Sequence, residues 1–187
     1  MMYIMENIPD AEKVSGKELR RLQLELEHRC AQKLLQTILN EPGKVFEVSF
    51  DEKGNAYTDD VYISAAHSQD CVLVAAALFP IGASVKEKTL FNSKVLHRFL
   101  SGEEVYYILV ERELPLKINL FWRYWTTKAA ILKCRGGDIT KFRETSALEC
   151  PPKLHVEWLR SRNRIGCIAS EDPYEMENES LGRSIKL

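Results

Sequence analysis

The sequence predicts an α+β fold: one domain with an antiparallel sheet of about five to seven strands, packed against a long N-terminal helix and a second helix. Three observations lead there. One long stretch repeats its apolar residues every 3.6 positions behind a helix-capping pair. Several short runs are rich in aromatic and β-branched residues. The order helix, hairpin, helix, meander also lacks the strand-helix alternation of a parallel doubly wound sheet.

Ser15 and Glu18 have the S-x-x-E spacing that satisfies backbone donors of an opening helical turn. Leu19, Leu22, Leu26, Cys30, Leu34, Leu35 and Ile38 then form an apolar stripe, and Pro42 with Gly43 stops the helix. In the run from Lys44 to Asp51, Phe46, Val48 and Phe50 alternate with Val45, Glu47 and Ser49, which predicts a strand. The stretch from Ala56 to Ala66 reads as its hairpin partner, with Asp59 and Asp60 interrupting the pattern. The run from Cys71 to Gly82 is apolar but too short for a membrane span, so it is assigned to the core.

Ser84 and Glu87 repeat the capping spacing and predict a second helix through Leu100. Val105 to Arg112, Pro115 to Trp125 and Ala129 to Cys134 read as three strands of a meander. Leu154 to Ala169 reads as a hairpin turning at Ser161 to Asn163. The domain assignment is an N-terminal arm over 1–14, one α+β domain over 15–169 and an acidic flexible tail over 170–187.

A chain of 187 residues can bury a core without disulfides. Its five cysteines include no CxxC pair, and the first ten residues lack the pattern of a secretory signal. Free thiols and a cytoplasmic location are the expectation. His28 and Cys30 are two apart on a helix and so point apart, and Gly136 and Gly137 lack the rest of a phosphate-cradling loop. No metal, cofactor or catalytic residue is assigned. His67, Ser68, Asp70 and Cys71 crowd together, but the elbow that would present Ser68 as a nucleophile is missing.

The total charge is −1, yet residues 105–168 carry 12 Lys and Arg against 6 Asp and Glu. On a strand over 115–125, Lys117, Phe121, Arg123 and Trp125 share one face with Asn119. Arg112, Lys133 and Arg135 flank that strand, and Arg160, Arg162 and Arg164 crowd the predicted turn. Aromatic rings that stack on bases beside cations that meet phosphates make a nucleic-acid platform. The leading expectation is therefore a non-enzymatic binding or regulatory module for an anionic partner, foremost nucleic acid, through these ten residues.

A second reading is an α+β enzyme or binding protein for a small anionic metabolite, with Arg112, Arg123 or Arg135 clamping its charge. A protein partner or a homodimer through the N-terminal helix is also open. In the tail, Glu171, Asp172, Glu175, Glu177 and Glu179 precede small and apolar residues ending at Leu187. That composition resembles the C-terminal signal of substrates of some bacterial type IV secretion systems, which implies a secreted effector or interaction module as a third reading.

Overall fold

The computed structural model describes residues 1–161 and 163–171. Among them are four α-helices and two antiparallel sheets, a mixed α+β fold with the long N-terminal helix in place. In chain order the elements are β1 (Met2–Asn7), α1 (Gly16–Ile38), β2 (Asn55–Thr58), β3 (Val61–His67), β4 (Cys71–Ala77), β5 (Ile81–Glu87), α2 (Ser93–Phe99), α3 (Gly102–Val110), α4 (Leu114–Cys134), β6 (Leu154–Arg160) and β7 (Arg164–Glu171).

The seven strands divide into two sheets, ordered β1-β4-β3-β2 and β5-β7-β6. Helix α1 covers the outer face of the first sheet, where Leu26, Cys30, Leu34 and Leu35 meet Ile63, Val72, Val74 and Ala76. The other face of β4, with Leu73 and Ala75, packs on Ala83, Val85 and Ile168 of the second sheet. Helix α4 closes the far side through Ala130, Ile131 and Cys134 against Cys167 and Ala169. Strand β4 is thus covered on both faces, which explains its unbroken apolar run.

Helix α1 begins as the spacing predicts, with Ser15 Oγ accepting the Glu18 N–H at 3.3 Å. The hairpin of β6 and β7 also matches, with Arg160 paired to Ile165 across the turn. Several other elements differ. Residues 2–7 of the expected arm pair with β4 as an edge strand. The predicted strand over 44–51 runs along α1 instead, because the Gln32 side chain takes both the N–H and the carbonyl of Phe46 at 2.9 and 2.7 Å. Asp59 and Asp60, both at positive φ, form the two-residue turn that splits the expected single strand into β2 and β3.

The helix expected from Ser84 starts only at Ser93, capped by Asn92, while Ile81–Glu87 is strand β5. Alternation decides this, since Ala83 and Val85 face the first sheet from a paired strand. The expected meander is helical. Ser101 and Glu104 form the capping box of α3, and Pro115 sits in the first turn of α4, where its missing N–H costs nothing. In α4, Phe121, Tyr124, Lys128 and Ile131 are buried at helical spacing, so packing overrides the strand preference of its aromatic residues.

A charged pair joins these helices. Lys128 and Glu104 are both fully buried, with Nζ 2.5 Å from Oε2. Lys128 also donates to the Phe99 carbonyl at 3.0 Å, and Glu104 accepts the Ala147 N–H at 2.8 Å. Burial pushes the Lys128 pKa down, and Glu104 works against that shift. Removing one partner strands a buried charge, so Lys128→Met is expected to lower unfolding free energy by about 3–5 kcal/mol in urea titrations. A loss below about 1 kcal/mol, the scale of a surface pair, would contradict this role.

Candidate functional site

The ten basic and aromatic residues singled out from sequence do not form one sheet surface. Phe121 is 1% exposed and stacks on Phe91 with ring centroids 4.4 Å apart. Trp125 packs between Phe99 and Phe142 at 4.9 and 4.8 Å. Lys117, on the first turns of α4, reaches the Leu109 carbonyl at 3.4 Å. Arg123 lies over the Trp158 ring, 4.0 Å from its centroid, and Arg135 pairs with Glu171. Arg112 lines an open cleft of about 450 Å³ between α3 and α4, with Tyr107 and Tyr124.

At the second basic run, Arg164 is held by the Asp70 carboxylate, through Nε at 2.8 Å and through a second close contact, and by Asn7. Arg160 is exposed at the end of β6, and Arg162 lies outside the described residues. The described arginines Arg112, Arg123, Arg135, Arg160 and Arg164 therefore sit in separate surroundings and do not converge on one pocket.

Lys133 stands in a different setting, where four separate elements meet. Strand β5 makes this possible through Gly82, because a Cβ there would lie 2.1 Å from the Ala130 carbonyl oxygen and 2.4 Å from the Cys134 nitrogen. Ser84 and Lys86 follow Gly82 on the same side of the strand. Lys133 Nζ donates to the Ala65 carbonyl at 2.7 Å, next to Gly54, whose own Cβ would approach that Nζ to 3.4 Å. Loop 51–55 caps the helix end, with Lys53 donating to the Gly136 and Gly137 carbonyls at 3.3 and 2.9 Å.

Burial pushes the Lys133 ammonium down to about 8, with Lys86 adding to the shift and Glu27 and Asp51 opposing it. Glu27, 4% exposed on α1, accepts from His67 Nδ1 at 2.8 Å. Arg20 Nη1 lies 3.0 and 3.2 Å from the two ring nitrogens and 3.8 Å from Glu27. With Nδ1 donating to Glu27, Nε2 is the ring nitrogen that can accept from Arg20, at the longer of the two distances. Neither Arg20 nor His67 is covered, with side chains 49% and 38% exposed.

Lys86, Glu27 and Asp51 thus lie within electrostatic reach of Lys133, and Glu27 links that neighbourhood to His67 and Arg20. Lysines whose charge is destabilised by burial are stabilised by an incoming anion, and such perturbed groups concentrate at functional sites. Sequence reasoning selected Lys133 for its charge and noted His67. It missed Arg20 and Glu27 on α1 and Lys86 on β5, which share no motif spacing. Among the described residues, no group of three or more His, Cys, Asp or Glu side chains is placed to hold a metal ion, and no helix is long and apolar enough to cross a membrane.

Comparison with known proteins adds a transferase to this geometry. No family model matches the chain. Over 105 residues, 56% of this chain, the sequence is 25% identical to the 4'-phosphopantetheinyl transferase gsp of Aneurinibacillus migulanus. The match spans 44% of that curated relative's length. The relative is an enzyme, and this overturns the reading of the chain as a non-enzymatic binding or regulatory module for nucleic acid. The buried Phe121, and the partly buried Trp125 packed between Phe99 and Phe142, give the physical reason the stacking platform fails.

The contact at Gly82 carries a mutational signature. Gly82→Ala pushes β5 away from α4 and is expected to lower unfolding free energy by about 2 kcal/mol. Gly102→Ala, in open space at the start of α3, is expected to shift it by no more than about 0.5 kcal/mol. Equal urea midpoints for the two variants would show that the close approach is not as described.

Proposed function

We propose that this chain is an α+β transferase-type domain that binds a small anionic metabolite carrying a 4'-phosphopantetheinyl group at the Lys133 site. One observation carries the reading: a chain similar to a 4'-phosphopantetheinyl transferase holds Lys133 within electrostatic reach of Lys86 and of Glu27, which in turn engages Arg20 and a half-exposed histidine. Phosphate oxygens suit such a site, since each ammonium or guanidinium supplies charge-assisted donors.

Transfer of the group would form a bond between phosphorus and an acceptor oxygen and break the bond from phosphorus to the donor's leaving oxygen. The acceptor hydroxyl then has to lose a proton, and the leaving oxygen has to gain one. His67 Nε2 is suited to take that proton once Arg20 turns toward the phosphate, because Glu27 fixes the opposite ring nitrogen as a donor. Lys133 and Lys86 would stabilise charge on the phosphate throughout.

Calorimetric titration with 4'-phosphopantetheine, and with pantetheine as the phosphate-free control, tests the reading. The phosphorylated compound is expected to bind, with pantetheine weaker by about tenfold or more, the difference one or two charge-assisted contacts make. Lys133→Met is expected to remove most of that preference. Equal affinity for the two compounds, or binding of neither, would sink the proposal.

A further inference from the structure

Phosphate-transfer sites are commonly neutralised by a divalent cation held on carboxylates, which bridges protein and phosphate oxygens. The donor set around Lys133 does not fit that arrangement. Its two nearby carboxylates are already engaged. Glu27 accepts from His67 and pairs with Arg20, and Asp51 Oδ1 accepts the backbone N–H groups of Lys53 and Asn55 at 2.9 and 2.8 Å. Binding a cation at Glu27 would displace its protein partners and place a divalent charge beside Lys133 and Lys86.

We infer, on the basis of the function proposed above, that Lys86, Lys133 and Arg20 themselves supply the positive charge that faces the phosphate, with no divalent cation between ligand and protein. Lys86 extends from β5 on the side that faces α4, and its charge adds to the burial that disfavours the charged form of Lys133. Two lysines that repel each other in the free protein both gain from an anion placed between them. Arg20 enters from α1, where its half-exposed side chain is held, among the described residues, by the His67 and Glu27 contacts. The three side chains come from separate layers, so a phosphate also ties α1, β5 and α4 together.

The test is binding of 4'-phosphopantetheine to the full chain, measured by calorimetry in EDTA and again with excess magnesium or manganese. Affinity is expected to agree within about twofold between these conditions, to fall about tenfold in Lys86→Met, and to recover in Lys86→Arg. Binding that appears only with the metal, or unchanged affinity in Lys86→Met, would overturn the inference while leaving the proposed ligand standing. Absence of binding in every condition would instead remove the proposed function on which it rests. Circular dichroism of each variant separates lost binding from lost folding.

Discussion

Strand β5 comes so close to α4 at Gly82 that no side chain fits between them, and the arrangement of the outer layers follows from that contact. The approach fixes the height and rotation of α4 over the second sheet. Lys133, one turn beyond Ala130 on the helix face that meets β5, is thereby carried to the Ala65 carbonyl of the first sheet. Ser64 in the same strand takes the Ala83 N–H on its hydroxyl at 2.9 Å, a second polar tie between the sheets. The site is therefore a consequence of layer packing rather than of one loop.

Two lysines on α4 show how burial and partnership set different roles. Lys128 is buried against Glu104 and two helix ends, so its charge is spent on holding the helical layer. Lys133, five residues later and on another face, meets a backbone carbonyl and forms no ion pair with a carboxylate among the described residues. Its charge is costly in the free protein, and an anionic ligand relieves that cost. Glu27 lies near enough to favour the charged form but is already engaged by His67 and Arg20.

Local rules were enough to read α1 and the β6–β7 hairpin from sequence. Helix α1 joins a capping serine to a sustained 3.6-residue period, and the hairpin has alternating strands around a polar turn. The segment over 101–134 was misread because Tyr, Phe, Trp and Ile favour strands wherever packing does not decide otherwise. The correcting signals were present in Ser101 with Glu104, in Pro115, and in the spacing of Phe121, Tyr124 and Lys128. The site was less legible. Arg20, Glu27, His67, Lys86 and Lys133 come from α1, β3, β5 and α4, and only the fold makes them neighbours. Charge counting selected Lys133 but spread attention over arginines that the structure shows paired with Asp70 and Glu171 or stacked on Trp158.

The central claim is that Lys133 is a destabilised cation awaiting an anion. An NMR titration of its side-chain carbon signals, assigned with Lys133→Arg, tests it most directly. The account predicts a midpoint near 8 in the free protein, moving upward when 4'-phosphopantetheine is added, because a bound phosphate favours the charged form. An ordinary lysine midpoint near 10.5 that the ligand leaves unmoved would contradict the account.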